Sequence, residues 1–310
     1  MKTLLAWLQL LRLPNHATAV ADVLAGYLIA SHTKLLGWPP APLWWAVAAG
    51  LFFYAAGMVL NDVFDLELDR RERPERPLPS AAIDVGAAAA VGNGLLALAG
   101  VCGCVAAFVS GHPAVALVGA ALTAAVWIYD RYAKATAFGP VVMGSCRSLN
   151  WLLGMTAAGG PTAAHEWLIP IGMGMYVGGI TLFARDEAGR SRVASLLIAT
   201  LVMLAGLAVA GTHTWLMGQG GGGAAWLRGD RLGSWLLLWG VLGGSILLRN
   251  LLAILDPSSG RVRTAVGNAI MSIITLDAVL VLAACGEQWA IVVLLLLAPF
   301  LFGRQFIPPT

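Results

Sequence analysis

The sequence predicts an all-α protein, a polytopic bundle of transmembrane helices that forms a single integral membrane domain over residues 1–310. Three observations predict this class. Hydrophobic residues make up 59% of the chain and charged residues only 11%, whereas soluble domains carry roughly 25% charged residues. The mean hydropathy is +0.79. The apolar runs are also far longer than the roughly 10-residue strands of a membrane β-barrel.

A transmembrane helix needs about 20 mostly apolar residues to cross the hydrocarbon core of a bilayer. The chain contains ten candidate segments, the last of them short, so the predicted bundle has nine to ten spans. Frequent Ala and Gly residues favour close packing between helices in lipid. The segments are 15–33, 42–62, 85–109, 113–131, 138–158, 166–184, 193–214, 232–254, 266–284 and 288–303.

The first residues differ from these spans. The stretch MKTLLAWLQLLR has an apolar run that is too short to cross a bilayer, and Arg12 interrupts it. A short amphipathic helix of this kind lies in the plane of the membrane interface. We therefore expect residues 1–13 to form an interfacial helix that is retained in the mature protein.

Basic residues are distributed unevenly between the loops. With the N-terminus in the cytoplasm, fifteen Lys and Arg fall on the cytoplasmic side and three on the far side, with Arg147 inside a span. Cytoplasmic loops of membrane proteins carry such an excess of positive charge. The sequence therefore predicts a multi-pass membrane protein whose charged loops face the cytoplasm. A bacterial inner membrane is the expected location, and this expectation does not follow from the charges.

An acidic cluster follows the second predicted span, in the stretch LNDVFDLELDRRERPERPLPSA that begins at Leu60. Asn61, Asp65 and Asp69 recur at intervals of four, which places them on one face of a helix. Oxygen ligands of this kind suit Mg²⁺, which binds through a few carboxylates and bridges to substrate phosphates. The stretch therefore indicates a metal site for a diphosphate, with a solvated charged loop that fixes topology as the alternative.

Basic and aromatic residues on the same side of the predicted bundle complete the candidate site. Arginine binds phosphate through paired hydrogen bonds. Arg147 lies inside a predicted span, where a charge is costly and indicates function; its alternative role is to pair with a buried carboxylate such as Asp22 or Asp277. The candidate substrate-binding residues are Arg12, Arg73, Arg76, Tyr129, Lys134, Arg147 and Asn150.

The spacing of Asn61, Asp65 and Asp69, followed by RPERPLPS from Arg73, resembles the first aspartate-rich motif of the UbiA family of membrane prenyltransferases. Tyr129 to Lys134 resembles that family's Tyr/Lys loop, and residues 181–192 fall where the family carries a second motif, Asp-x-x-x-Asp. The spacing of these loops agrees along nearly the whole chain.

The resemblance implies about nine helices around a chamber that opens to lipid, with two aspartate motifs that hold a prenyl diphosphate through Mg²⁺. It implies that Arg12, Lys134 and Arg147 steady the diphosphate. It also implies catalytic and metal-binding roles for four residues: Asn61, Asp65, Asp69 and Asp186. The sequence departs from the family pattern at two positions. Arg190 stands where the second motif has its last Asp, and Ala81 stands where many members have Gly.

Three stretches resemble the EboC group of UbiA-like proteins more than the ubiquinone-type enzymes: 12–30, 139–155 and 179–189. We expect Mg²⁺-dependent transfer of a prenyl group from a prenyl diphosphate to a small acceptor, aromatic or other, within the membrane. The alternative is a catalytically altered relative that binds or transports a small or prenylated metabolite precursor. Membrane lipids are expected contacts, and neither a nucleic acid nor an obligate protein partner is expected.

Overall fold

The computed structural model describes residues 2–31, 40–185, 189, 191–219 and 231–306. Within these residues all regular structure is helical, which agrees with the predicted fold class. The helices are α1 Lys2–Leu10, α2 His16–Ala30, α3 Ala41–Phe64, α4 Leu66–Glu72, α5 Val85–Ser110, α6 Ala114–Ile128, α7 Gly139–Ala157, α8 Leu168–Phe183, α9 Val193–Gln219, α10 Arg231–Leu255, α11 Ser259–Cys285, α12 Glu287–Leu294 and α13 Leu297–Phe306.

Seven helical segments of the described chain are long and apolar enough to cross a membrane. They correspond to seven of the ten predicted segments. Their bounds are Ala41–Phe64, Val85–Ser110, Ala114–Ala133, Ala164–Phe183, Val193–Met217, Arg231–Leu255 and Ser259–Cys285.

The predicted total of nine to ten spans is not confirmed, because three predicted segments fall outside this set. Helix α2 has 15 residues and is therefore about 22 Å long, shorter than the roughly 30 Å hydrocarbon core of a bilayer. Helix α7 has 19 residues, among them Arg147 and Asn150, which lower its hydropathy. The last predicted segment is divided into α12 and α13.

Helix α2 forms the centre of the bundle. It packs against α3, α7 and α11, and all of its residues except Val20 are buried. A helix that is covered on every side needs neighbours that approach closely. Small residues on α2 and α7, among them Gly26 and Gly154, meet this requirement.

Gly154 of α7 shows how closely these two helices approach. A Cβ atom at this position would lie 2.0 Å from the carbonyl oxygen of Val23, and a Cβ at Gly26 would lie 2.5 Å from that of Trp151. Both distances are shorter than any stable contact between these atoms, so only glycine fits. The α2–α7 contact in turn positions Arg147 and Asn150, which lie one to two turns earlier on α7.

Helix α1 is only partly exposed. Leu4 and Leu5 are exposed, whereas Ala6 and Leu10 are buried in a small apolar cluster that includes Val59 of α3. The helix ends at Leu10. An interfacial location for residues 1–13 stays a prediction, and one apolar face of α1 is used for packing against the bundle.

We predict that Gly154→Ala destabilises the protein by about 1–3 kcal/mol, the usual cost of overpacking a core, because the new methyl group collides with the Val23 carbonyl. The matched control is Gly94→Ala. Gly94 is exposed on α5 and has open space around it, so alanine there is neutral or favourable. The apparent melting temperature of each purified variant checks this. Equal melting temperatures for the two variants would contradict the proposed α2–α7 contact.

Candidate active site

A cavity of about 560 Å³ opens among α2, α3, α4, α6, α7, α8 and α11. One end is lined by charged and amide side chains from α3, α4, the segment after α6, and α7. The remainder is lined mainly by apolar side chains, namely Phe53, Leu122, Val126, Met143, Val177, Ile180, Val266, Ile270 and Ile273. The cavity therefore joins a charged end to an apolar body.

The acidic stretch supplies one wall of the charged end. Helix α3 ends at Phe64 and α4 begins at Leu66, yet the backbone hydrogen bonds continue across the junction. The Asp65 amide donates to the Asn61 carbonyl at 2.9 Å, and the Asp69 amide donates to the Asp65 carbonyl at 2.8 Å. These two i to i+4 hydrogen bonds link Asn61, Asp65 and Asp69 across the junction, and all three side chains line the cavity.

Lys134 pairs with the acidic wall. Its Nζ lies 2.7 Å from Asp65 Oδ1, and it donates to the backbone carbonyl of Asn61 at 3.2 Å and to Asn61 Oδ1 at 3.4 Å. Asp65 and Lys134 keep 22% and 18% of their side-chain surface exposed. Three oxygen atoms therefore converge on one positive charge at a point that remains accessible from the cavity.

A second pair of charges lies deeper in the same wall. Arg76 Nη1 donates to both carboxylate oxygens of Asp69, at 3.0 and 2.8 Å, and lies 3.8 Å from Asp62 Oδ1. All three side chains are at least 94% buried. The two oxygens of Asp69 are thus engaged by an arginine, which distinguishes Asp69 from the more accessible Asp65.

Arg12 joins this network from the segment between α1 and α2. Its guanidinium lies 3.0 Å from Asp62 Oδ1. Its backbone is left-handed, with φ of 48°, a conformation that costs a non-glycine residue roughly 1–2 kcal/mol. Backbone strain of this kind is often found at functional sites. The strained residue here turns the chain so that Arg12 lines the cavity.

The predicted Tyr/Lys loop begins with a π-helical turn at Tyr129–Ala133, directly after α6. The Lys134 amide closes this turn by donating to the Tyr129 carbonyl at 3.1 Å. Single π turns are frequent at functional sites because they redirect side chains. This turn presents Tyr129, Asp130 and Lys134 to the cavity.

Arg147 lines the cavity and is paired with a buried acid. Its Nε lies 2.7 Å from Asp22 Oδ2, and its Nη2 donates to the Thr18 carbonyl at 3.1 Å. Asn150 donates to the same Asp22 oxygen at 2.9 Å. Asp277 is also fully buried, and within the described part of the chain neither of its carboxylate oxygens has a hydrogen-bond partner. The alternative role of Arg147 as partner of a buried carboxylate is therefore seen in the structure.

Ten of the eleven predicted site residues line this one cavity, although they come from five parts of the chain. They are Arg12, Asn61, Asp65, Asp69, Arg73, Arg76, Tyr129, Lys134, Arg147 and Asn150. The eleventh, Asp186, lies outside the described residues, as does Arg190. Ala184 and Arg185, which precede Asp186 in the chain, line the cavity. The catalytic and binding roles assigned to these residues stay predictions.

Two acidic residues at the charged end have roles that the sequence did not reveal. Asp62 adjoins the predicted acidic face, and the structure shows that it binds Arg12. Asp130 is buried and lines the cavity. The available signal for Asp130 was its position, since an acidic residue directly between Tyr129 and Arg131 at the end of an apolar span is costly unless it has a function.

The residues at the charged end fit a magnesium ion in part. Within the described part of the chain, no three His, Cys, Asp or Glu side chains are grouped so as to hold a metal ion. However, Asn61 and Asp65 direct oxygen atoms to one point that already accommodates the charge of Lys134. Mg²⁺ usually takes one or two carboxylates and completes its shell with water and substrate phosphates. Asn61 and Asp65 meet that requirement.

Residues 19–272 match the UbiA prenyltransferase family, and the chain belongs to that family. The family predicted from the sequence is thereby confirmed. The assignment to the EboC group stays a prediction. Together with the seven long apolar helices, family membership makes the chain an integral membrane protein.

Several curated relatives are digeranylgeranylglyceryl phosphate synthases of archaea. Those of Sulfurisphaera tokodaii and Methanocaldococcus jannaschii are 36% and 38% identical to this chain over 83 and 88 residues. These matches cover 27% and 28% of this chain and 29% and 30% of the relatives. The chain therefore spans less than a third of the length of the curated relatives it matches.

Solved structures share the fold over a much larger part of the chain. A UbiA homologue from Aeropyrum pernix K1, solved in its apo form, has a TM-score of 0.64 at 18% identity, covering 87% of this chain and 98% of its own. A UbiA homologue from Archaeoglobus fulgidus, bound to GPP and Mg²⁺, has a TM-score of 0.52 at 14% identity, covering 89% and 99%.

We predict that Arg147→Met lowers stability by about 3 kcal/mol, because it leaves the buried carboxylate of Asp22 without its cation. Adding Asp22→Asn removes that uncompensated charge, so the double variant should recover much of the loss. Chemical unfolding of the two single variants and the double variant in detergent micelles measures the coupling. Additive losses would contradict a direct pair between these side chains.

Proposed function

We propose that this protein transfers a prenyl group from a prenyl diphosphate to a small acceptor, aromatic or other, in a Mg²⁺-dependent reaction within the membrane. One observation carries the proposal: a single cavity joins a cluster of acidic and basic side chains to an apolar body, inside a bundle of apolar helices. A prenyl diphosphate has the same two parts, a highly charged head and an apolar tail.

The side chains at the charged end of the cavity favour the binding of an anion. Among the described residues, six basic and four acidic side chains line the cavity, so basic side chains outnumber acidic ones by two. Basic residues in a cleft with apolar walls concentrate anionic ligands. Arg73 and Arg185 join Lys134 in this lining, and each can donate to diphosphate oxygens.

A bound Mg²⁺ would supply charge neutralisation for the departing diphosphate. Asn61 and Asp65 are the residues that would hold it, since their oxygens converge on an accessible point. Lys134 would then be free to donate to a diphosphate oxygen. Arg76 keeps Asp69 and Asp62 in place through its buried ion pairs. Donors aimed at the leaving group in a site that excludes water stabilise charge far better than they would in water.

The apolar body suits the prenyl chain and the reaction. Each buried CH₂ group contributes about 0.8 kcal/mol, so long donors bind with little polar recognition. The aliphatic and aromatic side chains around Phe53 and Ile273 also exclude water. An allylic cation left by the departing diphosphate reacts readily with water, so this exclusion directs it to the acceptor.

The relatives support this class of reaction and leave the acceptor open. The curated relatives bear the name digeranylgeranylglyceryl phosphate synthase over short matches. The Archaeoglobus fulgidus homologue was solved with Mg²⁺ and with DMAPP or GPP. From these proteins we propose for this chain only the class of donor, a prenyl diphosphate, and the metal, Mg²⁺.

We further propose that the protein lies in a bacterial inner membrane with its charged loops in the cytoplasm. The uneven distribution of Lys and Arg supports this orientation. We also retain nine to ten spans, because α2 and α7 lie in the middle of the bundle among the seven long helices. Helices in that position are surrounded by protein, so they need less apolar surface than helices that face lipid.

Binding or transport of a small or prenylated metabolite precursor is the second candidate function. Arg190 in place of an expected aspartate favours it, because a weakened second motif would reduce catalysis before it reduced binding. The two functions differ in one observable product. Only the transferase releases diphosphate from its donor.

We predict that Asp65→Asn weakens Mg²⁺-dependent binding of geranylgeranyl diphosphate at least about tenfold, as expected for loss of a metal ligand. Calorimetric titration of purified protein, with and without Mg²⁺, measures the effect. The control is Asp256→Asn, since Asp256 is exposed and pairs only loosely with Arg261 at 3.7 Å. Unchanged Mg²⁺-dependent binding in Asp65→Asn would refute the metal assignment.

A further inference from the structure

Asp130 is a buried carboxylate at the charged end of the cavity. It is the second residue of the π-helical turn Tyr129–Ala133, and only 2% of its surface is exposed. Asp130 nevertheless lines the cavity. Because Asp130 and Lys134 are four residues apart, the turn directs both side chains to the same wall.

Asp130 differs from the other acids of this wall in its contacts. Asp65 is paired with Lys134, Asp69 with Arg76, and Asp62 with Arg12. Within the described part of the chain, Asp130 Oδ2 has no hydrogen-bond partner. A buried carboxylate without a partner is costly, so this oxygen is suited to a ligand that enters the cavity.

Asp130 interacts electrostatically with the other charges of this wall. Lys134 and Arg12 attract its carboxylate, whereas Asp65 and Asp62 repel it. Asp130 therefore lies within electrostatic range of the point at which Asn61 and Asp65 already converge on Lys134 Nζ. Several acids around one point repel one another unless a cation is shared among them.

We propose that Asp130 is a ligand of a divalent cation that it shares with Asn61 and Asp65. This proposal rests on the proposed function, and it adds a ligand from the Tyr129–Ala133 turn. Two carboxylates and one amide offer only oxygen atoms, a set that selects hard ions such as Mg²⁺ or Mn²⁺. It also supplies a carboxylate to a chain whose second motif has Arg190 in place of its last aspartate.

The test is a titration of purified protein in lipid nanodiscs with Mn²⁺ in the presence of inorganic diphosphate. Free Mn²⁺ is followed by electron paramagnetic resonance, which needs no turnover. Asp130→Asn should raise the apparent Kd for Mn²⁺ at least about tenfold, the usual effect of removing a metal-site residue. Glu67→Gln is the control, because Glu67 is exposed and bonds only to Arg70 among the described residues; it should bind Mn²⁺ as the wild type does.

The outcomes separate this proposal from the proposed function. Wild-type affinity in Asp130→Asn, with weakened affinity in Asp65→Asn, would overturn the role of Asp130 and leave the metal-dependent function intact. Absence of Mn²⁺ binding to the wild type would overturn both. If Asp130→Asn does not fold, Asp130→Glu decides, because moving the carboxylate by one CH₂ must change the Mn²⁺ affinity several-fold; an unchanged affinity would overturn the proposal.

Discussion

Charged groups are stable inside an apolar helix bundle only when opposite charges neutralise them, and this constraint organises the cavity. An ion in a low-dielectric interior loses several kcal/mol of hydration, which a well-placed partner offsets. Asp69 pairs with Arg76, and Asp22 pairs with Arg147, both almost fully buried. Lys134 pairs with Asp65 at a more accessible position. The two buried pairs therefore stabilise the lining of the cavity, whereas Asp65 and Lys134 can each exchange the other for a ligand.

Close helix packing keeps these pairs in register. Gly154 and Gly26 allow α2 and α7 to approach until backbone atoms nearly touch, and this contact places Arg147 beside Asp22. The i to i+4 hydrogen bonds across the junction of α3 and α4 likewise link Asp65 and Asp69. A rigid scaffold of this kind fixes charges within a fraction of an ångström, which is the precision that catalysis by electrostatic stabilisation requires.

The features that the sequence predicted are those that depend on residues close together in the chain. The intervals of four between Asn61, Asp65 and Asp69 predicted a shared face, and long apolar runs predicted the seven long helices. Among the pairings between distant residues, that of Arg147 with Asp22 was anticipated as an alternative. The contact of Lys134 with Asn61, across 73 positions, was not. The total of nine to ten spans stays a prediction, because hydropathy does not separate a lipid-facing helix from a short central one such as α2. The backbone conformation at Ala81 was not predictable either. Its φ of 57° is left-handed, which explains why glycine suits that position.

Diphosphate release distinguishes a prenyltransferase from a binding or transport protein. Purified protein in lipid nanodiscs would be mixed with geranylgeranyl diphosphate, and free diphosphate would be followed with and without Mg²⁺. We predict release that requires Mg²⁺, because Asn61 and Asp65 hold the cation beside the leaving group. Stabilisation of the protein by the donor without any release, across several chain lengths and with candidate acceptors present, would contradict the transferase and favour a binding or transport protein.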